Sequence, residues 1–314
     1  MKITLTDVVK KYGEFTAINS VNLDLNSGQM LGLVGPNGSG KTTLLKLILG
    51  ILKPTIGNIQ VDGQVLDPIK WKEYKGGVGY MPERVSFYDN LTGIETLKFF
   101  GQIKGGSIDN IKDVLDRLFT KEILDKKVGS YSKGMRQRLN FAQAIINDPN
   151  VLILDEPTSG LDPIGIKEFY EIISGILERK RPIIILSSHI LAEIEDRVTT
   201  VGIMKDGQLQ ALGTLNELYK KSELPLKLYI ISKSENNGIM DMLISEGVKI
   251  VMSTKNEAGA VTQTLQGVNE RILHCEFHRD NKMKILSCLM ERKIDIIDFI
   301  VREPSLEEVF FGLN

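Results

Sequence analysis

Apolar and polar residues alternate along this chain in more than one rhythm. Ile3 and Leu5, then Val21, Leu23 and Leu25, are separated by polar neighbours, the period of two expected of half-buried antiparallel strands. Met30–Val34 and Gly77–Met81 are short apolar strands, and Ile59–Val65 reads as another. Val151–Leu154 and Ile183–Leu186 are continuous apolar runs, which predicts strands buried on both faces of a parallel sheet. From about Val85 to Asn147 the pattern becomes mostly helical. Ile111, Val114, Leu115 and Leu118 share one helical face, Thr92 and Glu95 are spaced as a capping box, and Leu139–Ile146 is an apolar-faced helix.

The last third has its own rhythm. Lys220 to Pro225 breaks the preceding pattern and reads as a linker. Beyond it come Leu226–Ile231 (strand), Ile239–Glu246 (helix), Val248–Met252 (strand), Ile272–Phe277 (strand), Lys282–Arg292 (helix) and Ile294–Val301 (strand). This β-α-β-β-α-β order predicts a small α+β ferredoxin-like domain over 226–314, closed by a short helix from Pro304 to Phe310.

Composition narrows the function classes. The chain has 314 residues, enough for about two domains, and 39 Lys+Arg stand against 40 Asp+Glu for a net charge of -1. That balance lacks the basic excess of nonspecific nucleic-acid binding, so no nucleic-acid partner is expected. Two cysteines, Cys275 and Cys288, suggest no disulfide framework. Met1–Leu5 has no signal-peptide apolar region, and no run approaches the ~18 apolar residues of a membrane helix. A cytoplasmic chain is expected, reaching a membrane only through a partner.

The chemistry concentrates in Gly35-Pro36-Asn37-Gly38-Ser39-Gly40-Lys41-Thr42-Thr43, which fits G-x-x-x-x-G-K-[ST] between the strand Met30–Val34 and a helix over Thr43–Leu49. Its glycines let backbone N–H groups approach a polyphosphate, and the following helix N-terminus attracts anions. Lys41 brings a compact charge to the outer phosphates and Thr42 a hydroxyl to Mg²⁺. At the end of Val151–Leu154, Asp155 is placed to hold Mg²⁺, and Glu156 to orient or deprotonate a water. Ser187-Ser188-His189 leaves the same sheet edge, while Ser132 precedes a helix and is equally suited to capping it.

With those motifs in order, residues 1–219 resemble the nucleotide-binding subunit of an ATP-binding-cassette (ABC) transporter. The resemblance rests on Gly35–Thr42 (Walker A), Glu83 (Q-loop), Ser132–Met135 (signature), Val151–Glu156 (Walker B), Ser159–Asp162 (D-loop) and His189 (switch). It implies an α/β P-loop ATPase domain with a RecA-like core, an antiparallel β subdomain and a helical subdomain near 85–147. It further implies that Tyr12 stacks on adenine, that Glu156 is the catalytic carboxylate, and that Lys41 and His189 meet the γ-phosphate. Thr42, Asp155 and Glu83 would hold Mg²⁺. Ser132 and Gly134 would complete the ATP site of a second copy in a head-to-tail homodimer, with Asp162 communicating across it. A membrane permease would dock through Glu83–Leu97, with the ATPase peripheral on the inner face of the membrane.

Two positions depart from the family pattern. The Q-loop usually carries glutamine, and a carboxylate at Glu83 can still ligate Mg²⁺. The signature usually reads Ser-Gly-Gly-Gln, whereas Ser132-Lys133-Gly134-Met135 keeps only the serine and one glycine. Val78–Tyr88 with Leu91–Leu97 is similar to the Nos subfamily, whose ATPase supports copper-centre assembly of nitrous oxide reductase and shares the glutamate. The ending Leu306-Glu307-Glu308-Val309-Phe310 is similar to subunits serving ABC-2 permeases. The alternative is a soluble ATP-gated clamp, which would call for two cassettes or a long coiled coil, or a regulatory ABC ATPase not coupled to transport, with 226–314 as a sensor; a small P-loop kinase has no use for Ser132–Met135. His274-Cys275-Glu276-Phe277-His278 is a weak metal motif, because on a strand His274 and His278 stand ~13 Å apart at ~3.3 Å per residue and Cys275 faces the other way.

Overall fold

The alternating residues near the N-terminus become a long antiparallel hairpin. Ile3 stands opposite Leu25, Leu5 opposite Leu23 and Val8 opposite Val21, so both strands bury one face. A computed structural model of the protein describes residues 1–195, 197–222, 224–232, 243–251, 271–291 and 296–312. In chain order the first ten strands are β1 (Lys2–Tyr12), β2 (Phe15–Asn26), β3 (Met30–Val34), β4 (Ile56–Val61), β5 (Gln64–Val65), β6 (Val78–Met81), β7 (Val151–Asp155), β8 (Ile183–Ser188), β9 (Thr200–Lys205) and β10 (Gln208–Gly213).

The chain divides into two compact units, Met1–Leu215 and Asn216–Asn314. The first holds two sheets, an antiparallel one in the order β2-β1-β4-β5 and a mostly parallel one in the order β10-β9-β3-β8-β7-β6. Every residue of β3, β7 and β8 is buried, as their unbroken apolar sequences require of strands covered on both faces. Helix Lys41–Ile48 ties the sheets together, for Leu44, Leu45, Leu47 and Ile48 share one core with Ile3, Leu5, Leu31, Ile153 and Ile185.

Local capping accounts for the helical stretch. Thr92 Oγ1 accepts from Glu95 N at 3.2 Å while Glu95 Oε2 accepts from Thr92 N at 2.8 Å, and helix Gly93–Lys104 follows. Helices Lys112–Leu118 and Lys133–Ile145 complete it. Some boundaries differ from expectation. Ile59–Val65 is not one strand, because Asp62 and Gly63, both at positive φ, turn β4 back into β5. Helix Pro68–Gly76 is additional; Asp67 caps it and Pro68 opens it, and Tyr74 is its one buried residue, so its apolar signal is weak. Lys220 and Lys221 belong to helix Leu215–Lys221 rather than to a linker.

The second unit carries β11 (Leu226–Ser232), β12 (Lys249–Val251), β13 (Arg271–Phe277) and β14 (Ile296–Arg302), all antiparallel in the order β12-β13-β11-β14. Helix Lys282–Glu291 buries Ile285 and Leu289 against Leu228, Ile230, Cys275 and Phe277. The expected helix from Ile239 lies largely outside the described residues. Cys275 is in the core, where burial pushes its thiol up to about 12, and His274 faces the opposite way, stacked on Tyr229 with ring centroids 4.6 Å apart. His278 lies beyond the strand as a cap, and the described residues contain no cluster of three or more metal-binding side chains.

Candidate nucleotide site

Three neighbouring strands end at one place. In the parallel sheet Val34 pairs with Ser188 and Asp155 with Ser187, so the segments leaving β3, β7 and β8 converge at the carboxyl edge, where open α/β sheets bind ligands. The loop after β3 is tightly enclosed. A Cβ on Gly35 would lie 2.2 Å from Met204 O, and one on Gly40, at φ +101, would lie 2.7 Å from Ala17 O. Only glycine lets the backbone pass there and turn its N–H groups inward.

Lys41 curls back over that loop. Its Nζ donates to Gly35 O at 2.6 Å and to Pro36 O at 3.2 Å. Burial pushes its pKa down, and the carboxylates of Glu156, Asp155 and Glu83 oppose that by attracting the charge. Phosphate oxygens can replace the two carbonyls with little movement of the side chain.

A single serine holds both acidic residues. Ser187 Oγ donates to Asp155 Oδ1 at 2.6 Å and accepts from Glu156 N at 3.0 Å. Thr42 Oγ1 donates to Asp155 Oδ2 at 3.1 Å, joining the phosphate loop to the end of β7. Glu156 has φ 50, uncommon for a residue with a Cβ, and Gln137 Nε2 braces this turn by donating to Glu156 O at 3.2 Å and Pro157 O at 2.9 Å. Its Oε2 is 2.7 Å from His189 Nδ1. A carboxylate oxygen only accepts, so Nδ1 carries a hydrogen in this contact, and Nε2 is left for another partner, to which it donates when it too is protonated. Ser187 and Gln137 were not among the expected site residues; nothing in the local sequence marks a serine in an apolar strand as a brace.

A cavity of about 340 Å³ opens here, lined by Asn37, Gly38, Gly40, Lys41, Thr42, Thr43, Glu83, Glu156 and His189, while Asp155 stands behind it at Thr42. Ser39 Oγ is buried beside it with no partner among the described residues. The loop amides, Lys41 and this hydroxyl fit a polyphosphate, and the oxygens of Thr42, Asp155 and Glu83 fit a hard divalent cation. Glu83 is anchored from behind. Asn140 Nδ2 donates to Pro82 O at 2.8 Å, Gln143 Nε2 to Tyr80 O at 2.9 Å, and Lys104 Nζ to Gln143 Oε1 at 2.5 Å.

Three expected residues stand elsewhere. Phe15, 65% exposed, lines the cavity; Tyr12 does not, and its ring instead meets Lys10 Nζ at 5.2 Å from the centroid. Ser132 caps helix Lys133–Ile145 by accepting from Met135 N at 3.2 Å, and neither it nor Gly134 lines the cavity. Lys133 Nζ donates to Ser159 Oγ at 3.1 Å, linking the signature to the D-loop, where Asp162 caps helix Pro163–Lys180.

A glycine loop and lysine facing a buried aspartate and a histidine-held glutamate define a P-loop site for hydrolysing a nucleoside triphosphate. Comparison with known proteins gives the particular family. A family model described as ABC transporter matches residues 18–159. The bacitracin transport ATP-binding protein BcrA of Bacillus licheniformis is 34% identical over 312 residues, covering 99% of this chain and 96% of its own. The lantibiotic transport ATP-binding protein SrtF of Streptococcus pyogenes is 36% identical over 208 residues, covering 66% of this chain and 88% of its own. A solved ATP-binding subunit of an ABC transporter superposes with a TM-score of 0.65 at 29% identity, covering 70% of this chain and 93% of that one. The chain belongs to the ABC transporter ATP-binding proteins and is an ABC ATPase. No helix among the described residues is long and apolar enough to cross a membrane.

Proposed function

We propose that the chain powers a separate ABC-2 type permease from the inner, cytoplasmic face of the membrane, two copies closing head to tail around two ATP. The observation that carries this reading is the 2.7 Å contact between His189 and Glu156, beside the Thr42–Asp155 contact and at the mouth of the glycine loop. Thr42, Asp155 and Glu83 would hold Mg²⁺, which when bound neutralises charge on the outer phosphates. Lys41 leaves the carbonyls of Gly35 and Pro36 to bind phosphate oxygens. Glu156 accepts the proton of the attacking water, and His189, held through Nδ1 by that carboxylate, donates to the γ-phosphate from Nε2 when both ring nitrogens are protonated.

A second copy is needed because Ser132 and Gly134 lie off their own chain's cavity while carrying the signature donors. Two chains in opposite orientation give each cavity a signature. Permease docking fits the segment 83–97, which leads from Glu83 at the cavity into helix Gly93–Lys104.

For cargo we favour an amphiphilic peptide antibiotic over copper-centre maturation. The bacitracin-named relative aligns along 99% of the chain, second unit included, whereas the Nos likeness is confined to Val78–Leu97. Co-expression with an ABC-2 type permease that pairs with it is expected to give bacitracin tolerance that Glu156→Gln removes. Unchanged sensitivity, together with restored copper loading of nitrous oxide reductase, would return the Nos reading.

A further inference from the structure

A second cavity, of about 510 Å³, lies in the first unit and shares no lining residue with the nucleotide cavity. Its volume is in the range of small-molecule sites. It is bounded by the chain leaving helix Lys41–Ile48, by β4 and β5, and by helix Pro68–Gly76. Leu52, Ile59, Val65, Leu66 and Trp71 give it apolar walls. Gly50 brings its backbone against the indole: a Cβ there, at φ +65, would lie 2.3 Å from the Trp71 ring. The ring is thus held in place as one wall.

The polar lining is of one sign. Lys53 and Lys75 are its charged residues, and no carboxylate lines the cavity. Lys75 Nζ is 6.0 Å from the Trp71 ring centroid, and Lys10 adds a third ammonium by donating to Lys53 O at 2.9 Å. Asn58 also lines the cavity as a neutral polar residue.

We propose that this cavity binds a single-chain anionic amphiphile. The apolar chain lies along Trp71, Leu52 and Ile59, and the anionic group is met by Lys53 and Lys75. Apolar walls alone would take any greasy body; the two lysines, with no carboxylate in the lining, select the anion.

Trp71 is the single tryptophan of the chain, so its emission reports on this cavity directly. The full chain without nucleotide is titrated with lauroyl-lysophosphatidylglycerol below its critical micelle concentration. A saturable emission change is expected, with affinity at least about tenfold weaker for lauroyl-lysophosphatidylcholine, which has no net charge. The double variant Lys53→Gln/Lys75→Gln is expected to lose about tenfold for the anion. Val65→Phe, which narrows the cavity, is expected to abolish saturation. Circular dichroism and basal ATP hydrolysis check folding, since none of these residues lines the nucleotide cavity. The proposal is overturned by no saturable change, by equal affinity for both headgroups, by parent-like affinity in the folded variants, or by a response that requires phosphatidylglycerol vesicles, which would make a bilayer surface the partner.

Discussion

His189 Nδ1 stands 2.7 Å from Glu156 Oε2, the residue ends of two adjacent parallel strands meeting at the mouth of the phosphate loop. The contact fixes both the rotation of the imidazole and the aim of the carboxylate. His189→Ala is expected to lower kcat by ~10²–10³, the usual loss of one transition-state donor, while ATP binding changes little. Single-turnover phosphate release beside equilibrium nucleotide titration separates the two. A variant that binds ATP poorly but turns over normally once saturated would place His189 outside the chemistry.

Ser187 braces both acidic residues. Its hydroxyl serves Asp155 Oδ1 and Glu156 N together and is fully buried. Ser187→Ala leaves Glu156 N without this partner and Asp155 with Thr42 as its remaining side-chain donor, so a loss of ~1–3 kcal/mol in unfolding free energy is expected from urea titration. The same variant should need more Mg²⁺ for half-maximal hydrolysis, because Asp155 loses one of its two orienting donors. Unchanged stability and Mg²⁺ dependence would reduce Ser187 to a packing residue.

Phe15 and Tyr12 make opposite predictions about the base. Phe15→Ala is expected to weaken ATP binding by ~1–3 kcal/mol, the range for loss of an aromatic platform under a base, and Tyr12→Ala by clearly less. Competition between ATP and a fluorescent triphosphate analogue measures both. If Tyr12→Ala has the larger effect, the hairpin tip must rearrange when nucleotide enters.

That pair shows where sequence reading stops. The phosphate loop, Asp155, Glu156 and His189 are legible because their geometry is local: each sits on the first residues after an apolar strand, and parallel strands align their ends. Tyr12 and Phe15 face one another across the Gly13-Glu14 turn, and which ring lines the cavity depends on how the hairpin lies over the loop. That is a tertiary contact with no local signature. Ser187 is hidden for the same reason, its role arising only once β7 and β8 are side by side. Asp62-Gly63 is different: the pair is itself a hairpin signal, and the apolar residues around it favoured one continuous strand.

Lys104 links helix Gly93–Lys104 through Gln143 to Tyr80 in β6, the strand that leads to Glu83, and its ammonium is largely buried. Burial pushes its pKa down from 10.5 to about 8. Between those values the unfolded chain binds more protons than the folded one, so stability from this group rises as pH climbs from about 8 toward 10.5. Below about 8 both states are protonated and the burial cost is present in full. The parent is therefore expected to gain unfolding free energy relative to Lys104→Gln across that window in urea titrations. A constant difference between parent and variant would show that Lys104 does not titrate there.

In the proposed head-to-tail pair, one chain's cavity is finished by the Ser132–Gly134 stretch of another. Glu156→Gln keeps the ATP contacts and removes the group that ends the closed state, so it is expected to trap that state. Light scattering coupled to gel filtration, with and without MgATP, measures it directly. The account predicts a monomer that becomes a stable dimer with ATP, and a Ser132→Arg change in the same background that returns it to monomer. A Glu156→Gln chain that binds ATP and remains monomeric at high concentration would contradict it.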